Sequence, residues 1–105
     1  QSTRQRFVAL EFNYPSTDAE QTIVEKESNI DSAMAKQLVK FGRMTRNLKG
    51  SGLDEGASTR LLVNAGKLMQ QDIDPVIATD TAIAQTLTDD TDMLKAIHEL
   101  SRSIF

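Results

Sequence analysis

The chain has 105 residues, 39% of them hydrophobic and 26% charged, with two prolines and a formal net charge of −3. That suffices for one small domain with a single core, burying roughly two-thirds of the surface its unfolded form exposes, and it is too apolar for wholesale disorder. The absence of cysteine excludes disulfides, thiolate zinc sites, redox pairs and cysteine nucleophiles together, and the acidic balance argues against a nucleic-acid partner.

Taken in chain order, the first element expected is a strand. Phe7-Val8-Ala9-Leu10-Glu11-Phe12 is an apolar run closed by Asn13-Tyr14-Pro15, and a proline cannot continue a ladder. Val8, Leu10 and Phe12 share a face by the period of two. No second strand follows, so its partners are expected to lie outside this chain. Severed from them, residues 7–12 would offer an edge for self-association.

After Pro15 the pattern is helical throughout. Thr17 and Glu20 have the spacing of a capping box for a helix reaching about Ser28. Asp31 is the expected cap of the longest helix, running to Lys49 and stopping at Gly50-Ser51-Gly52. Its apolar stripe is Met34, Leu38, Phe41, Met44 and Leu48. A third helix begins near Ser58 with Leu61, Leu62, Ala65, Leu68 and Met69 inward. Asp74-Pro75, a cap followed by proline at the first helical position, opens a fourth through Ile77, Ile83 and Ala84. Thr88-Asp89-Asp90 opens a fifth, with Met93, Leu94, Ile97, Leu100 and Ile104 as its stripe. The fold class is therefore all-α: a bundle of about five helices preceded by one short strand.

Few residues carry a chemical signature. His98, the single histidine, falls off the stripe of its helix and reads as a solvated surface residue; a hydrolase built on it has almost nothing behind it. The pairs Asp54-Glu55 and Asp89-Asp90 lie near helix starts, where adjacent acids are commonly caps. No metal-ligand spacing is present. Lys36, Lys40, Arg43 and Arg46 lie opposite the apolar face of the second helix, as on any amphipathic helix, without interleaved aromatics to stack bases. Gly50-Ser51-Gly52-Leu53-Asp54-Glu55-Gly56 fails both phosphate-loop templates, lacking the lysine of one and the spacing of the other. Arg60 is different. It places a cation in the first turn of a helix, where the dipole disfavours it, on a face shared with Asn64 and Lys67 and opposite the core. With the free N–H groups of that turn it would make an anion site; a surface arginine paired to Asp54 or Glu55 is the equal alternative.

Charge is uneven. Residues 1–49 hold eight Lys or Arg against six Asp or Glu, and residues 50–105 hold four against nine. No apolar run approaches the roughly 20 residues of a membrane span, and the expected location is the cytoplasm.

The stretch Gly52-Leu53-Asp54-Glu55-Gly56-Ala57-Ser58-Thr59-Arg60-Leu61-Leu62-Val63 resembles the C-terminal lid of the CbbQ/NirQ/NorQ family, in the MoxR group of AAA+ ATPases. The opening from Ser2 to Pro15 is similar to that family's passage from nucleotide-binding core into lid, and Ile73-Asp74-Pro75 and Leu87-Thr88-Asp89-Asp90 are alike in character and order. The resemblance implies that residues 1–15 end the core and residues 16–105 form the lid. It implies that Arg60 is the sensor-2 arginine reaching the phosphates of ATP. It also implies an arginine finger near the strand, at Arg6 or at Arg4, acting on a neighbouring subunit's nucleotide. The phosphate-binding loop, the magnesium-binding acidic motif and sensor 1 precede this region in the family. The chain alone is then not an enzyme, and ATP and magnesium belong to the full-length parent. That parent would be a ring working with a von Willebrand factor A partner on a target such as Rubisco or nitric oxide reductase. A free-standing helical adaptor, binding a partner through its basic second helix, is the alternative.

Overall fold

The computed structural model describes residues 14–105, which form five helices: α1 (Thr17–Ser28), α2 (Ser32–Arg46), α3 (Thr59–Gln70), α4 and α5 (Thr91–Ile104). Helix α4 is continuous but composite, passing from an α-helical start, Pro75–Thr79, through a π-helical segment, Asp80–Ala84, into a last turn, Gln85–Leu87. The expected strand at residues 7–12, and with it Arg4 and Arg6, lies outside the described residues.

Capping sets where each helix begins. Asp31 accepts from the Met34 amide at 2.8 Å, Asp74 from those of Val76 and Ile77, and Asp90 from that of Met93 at 2.8 Å. Each cap satisfies one or two of the amides that a helix start leaves without an intrahelical partner. The first cap differs from the capping box expected at Thr17. Ser16 is the cap, its Oγ accepting from the Ala19 amide at 3.2 Å, and Glu20 points away from the helix start. Asn29 ends α1 in the left-handed conformation, φ 60°, which asparagine tolerates better than most residues.

Helix α1 packs on α2 and α3, α3 packs on α4, and α5 closes the bundle against α2 and α4. Val24, Leu38, Val39, Phe41, Leu62, Ile83 and Ile97 are the largest apolar side chains buried to completion or nearly so, each worth about 1.5–3 kcal/mol relative to exposure. On α2 the buried face is rotated from the one expected. Leu38 and Phe41 are buried, but Ala35, Val39, Gly42 and Thr45 complete the face while Met34, Met44 and Leu48 are half-buried. Close approach explains the rotation: a Cβ on Gly42 would stand 2.9 Å from two carbons of Leu62, so α3 lies almost against the α2 backbone. The third helix shifts likewise, burying Leu62, Val63, Ala65 and Gly66.

Two expectations for α4 and its surroundings are overturned. Ile77, placed on the apolar stripe, is 56% exposed, and Ala78 and Thr79 face inward instead. The π segment is the reason, because its wider turn, bonding residues five apart, brings Thr79 and Ala84 to one face. The second helix also stops at Arg46 rather than Lys49. From there residues 47–58 fold back over its end, with Gly50 and Gly52 at positive φ and Leu53 and Ala57 buried.

Candidate functional site

The start of α3 is where the cation singled out in the sequence sits. Ser58 caps the helix by accepting from the Leu61 amide at 3.3 Å. Arg60 is exposed in the first turn. It lines an open groove of about 370 Å³ with Ile23 and Glu27 of α1 and Thr59, Val63, Asn64 and Lys67 of α3. Arg60, Asn64 and Lys67 thus share one face. Among the described residues, Arg60 has no ion pair or hydrogen bond, and Glu55 reaches Lys49, at 3.5 Å, instead. The alternative pairing of Arg60 with Asp54 or Glu55 is not made. The groove presents two cations against one carboxylate, Glu27, beside amides at the positive end of a helix dipole.

What holds this helix start in place is a buried ion pair. Glu20, 1% exposed, accepts from both terminal nitrogens of Arg46, Nη1 at 2.9 Å and Nη2 at 2.5 Å. The Thr59 hydroxyl donates to the same carboxylate at 2.7 Å. Arg46 Nε donates to the carbonyl of Ala57 at 2.8 Å, and the Tyr14 ring lies over the guanidinium, 3.8 Å from carbon to centroid. Beneath it the Ala57 amide donates to Thr45 Oγ1 at 3.0 Å, which itself donates to the Gly42 carbonyl. A bidentate arginine–carboxylate pair of this kind has directional demands that a lysine could not meet.

Sequence reasoning missed this pair, having put Glu20 in a capping box and Arg46 on a solvated face. A signal was present. Glu20, Val24 and Ser28 recur at four-residue spacing on one side of α1, and all three are buried, so a carboxylate occupied a core phase and required a partner. Lys36, Lys40 and Arg43 are exposed as expected. They line a separate groove of about 360 Å³ with Thr17, Met44 and Asn47.

His98 departs from the solvated reading. It is half-buried, with Nδ1 2.7 Å from Asp80 Oδ2, joining α5 to the π segment. Among the described residues, the other oxygen of Asp80 is buried without a hydrogen-bond partner. The acid pairs divide: Asp90 caps α5, while Asp54 and Glu55 are exposed in the loop before α3. Among the described residues no three metal-ligating side chains stand together, and no helix is long and apolar enough to cross a membrane.

A family model described as CbbQ/NirQ/NorQ C-terminal matches residues 20–104, from the buried Glu20 to the end of α5. The chain belongs to the CbbQ/NirQ/NorQ C-terminal family. It is 47% identical over 104 residues to protein CbbQ of Hydrogenophilus thermoluteolus, covering 99% of this chain and 39% of that relative. To protein NorQ of Paracoccus denitrificans it is 40% identical over 104 residues, covering 99% and 38%. To the denitrification regulatory protein NirQ of Pseudomonas aeruginosa it is 41% identical over 99 residues, covering 94% and 38%. The chain therefore spans about two-fifths of the length of these CbbQ, NorQ and NirQ relatives.

Proposed function

We propose that this chain is the lid of a CbbQ/NorQ-type AAA+ ATPase and that Arg60 is its sensor-2 contact to the phosphates of ATP. The observation that carries the reading is the placement of Arg60: exposed, unpaired among the described residues, and in the first turn of α3. A cation there is unfavourable in the isolated helix and becomes favourable once an anion sits at the helix start. The donors fit one side of a polyphosphate: a guanidinium, the Lys67 ammonium in the same groove, and first-turn amides. Glu27, in that groove, opposes it. ATP with magnesium would be held on the parent's core, and this chain would supply Arg60 from the lid side.

In the parent, the reading includes a ring of subunits, a von Willebrand factor A partner and a target enzyme of the Rubisco or nitric oxide reductase type. Arg6 or Arg4 would act as the finger on the adjoining subunit's nucleotide. The test is ATP turnover by the full-length protein carrying this chain. Arg60→Ala should lower turnover by about 10- to 100-fold, the cost of one charge-assisted hydrogen bond, with the fold retained, and by more than Lys67→Ala. Equal turnover in mutant and wild type removes the sensor assignment.

For the finger, Arg6→Ala subunits mixed with subunits crippled in the phosphate loop should recover part of the activity, because each site lies between two chains. No rescue, for either arginine, argues against action in trans. A helical adaptor is the second reading, and the observation favouring it is the groove over Lys36, Lys40 and Arg43. Loss of partner binding on reversing those charges, in a full-length protein that shows no ATP turnover, would support it.

A further inference from the structure

We propose that Tyr14, Arg46, Glu20 and Thr59 form a positioning relay that fixes the first turn of α3, and with it Arg60, to the chain entering the lid at Tyr14. The proposal rests on the sensor reading of Arg60 and adds to it the device that sets where that arginine points.

The geometry points to a clamp around the helix cap. Arg46 grips the residue before the cap directly, through Nε to the Ala57 carbonyl, and the residue after it indirectly, through Glu20 to the Thr59 hydroxyl. Ser58, between them, performs the capping by itself, so the Thr59 hydroxyl is not needed to start the helix. Its bond crosses to α1 instead. The loop has no slack at this point, since a Cβ on Gly56 would stand 2.7 Å from the Arg46 amide nitrogen. Arg60 follows Thr59 immediately, so any displacement of the Thr59 backbone is inherited by it.

The other end of the relay is Tyr14. Its ring covers the guanidinium at 3.8 Å while remaining 38% exposed, and it belongs to the segment, residues 1–15, read as the end of the core. A stacked arginine holds its plane by the ring above it and by the carboxylate bound along its edge. Rotation of the entering chain that moved Tyr14 would release that plane, and both contacts around Ser58 would change together. A buried ion pair is poor evidence of stability, because desolvation offsets most of the attraction. Its directional demands are what suit it to fixing geometry.

The experiment measures the affinity of the full-length protein for a fluorescent ATP analogue with magnesium. Thr59→Val keeps the side-chain shape and removes the hydroxyl; it should weaken binding about fivefold, and Arg60→Ala about tenfold. The double variant should bind no more than about twofold worse than Arg60→Ala alone, because misplacing an absent arginine costs nothing. Thr59→Ser, which keeps the hydroxyl, should restore wild-type affinity, and Tyr14→Leu should weaken binding about threefold by freeing the guanidinium plane. If Arg60→Ala weakens binding but the Thr59→Val loss multiplies with it, Thr59 has a merely structural role and the relay is wrong. Should Tyr14→Leu bind as wild type, the relay stops at Arg46 and the link to the entering chain is overturned. If Arg60→Ala itself leaves affinity unchanged, the sensor reading falls, and the relay falls with it.

Discussion

Gly66 of α3 lies directly against Ser28 at the end of α1: a Cβ on the glycine would overlap the serine Oγ and stand 2.7 Å from its Cβ. Ser28 Oγ donates to the Val63 carbonyl at 3.0 Å, one turn earlier on α3. The two helices therefore approach as closely as backbone allows, and the contact works only without a side chain. Gly66→Ala should destabilise the protein by about 1–3 kcal/mol through overpacking, although alanine is the better helix former by about 1 kcal/mol. A urea midpoint equal to or above wild type would contradict this.

Arg46 and Glu20 differ sharply in what their separate and joint removal should do. Arg46→Met leaves a carboxylate 1% exposed with one remaining donor, Thr59, and should cost about 3–5 kcal/mol. Replacing both, as Glu20→Met with Arg46→Met, should recover a substantial part of that loss because no charge is then stranded. Chemical denaturation of the two variants checks the order. A double variant less stable than Arg46→Met would show that Glu20 stabilises the fold without its arginine, and would contradict a stranded charge as the cause of the loss.

Thr79 and Ser101 share a hydrogen bond of 2.6 Å between α4 and α5, both fully buried, and Thr79 also donates to the Val76 carbonyl at 3.0 Å. The Ser101 hydroxyl must then be the donor to Thr79. Thr79→Val strands it, at about 1–3 kcal/mol. Adding Ser101→Ala should cost less than the sum of the two single changes, a non-additivity expected of contacting residues. Strict additivity in thermal or urea unfolding would place the hydroxyls in separate roles.

His98→Gln removes one side of a pair whose side chains are 38% and 28% exposed. Partly solvated pairs of this kind contribute about 0–1 kcal/mol, so stability should fall by less than about 1 kcal/mol, and the ATP turnover proposed for the full-length protein should not change. A large loss of turnover would revive a catalytic role for the histidine.

The helix starts were the most legible part of the fold. Asp31, Ser58, Asp74 and Asp90 are residues whose side chains satisfy amides a few positions on, a chemistry local in sequence and therefore readable from it. Ser16 was missed because Thr17 and Glu20 imitate a capping box, and the competing demand on Glu20 comes from Arg46, 26 residues away. The rotated faces of α2 and α3 were illegible for a similar reason, since Gly42 and Gly66 enter the interface by what they lack. Arg60 stands out in the sequence because its oddity, a cation at a helix start opposite the core, lies within one turn, and its exposed place in that turn was legible for the same reason. The proposed clamp around that turn joins residues 14–20, Arg46 and residues 57–59, and no single window of sequence contains it.

The π segment Asp80–Ala84 amounts to a helix holding one residue more than its length requires. It is accordingly the place where this chain can lose a residue with least disturbance to its neighbours. A deletion within it lets the helix close as α while the Asp74 cap and the start of α5 keep their positions. The inward turn of Thr79 toward Ser101 and of Asp80 toward His98 depends on that surplus residue. Among homologous chains, those shorter by one here are expected to dispense with both polar contacts together, and to join α4 to α5 by apolar packing around Ile83 and Ile97 alone.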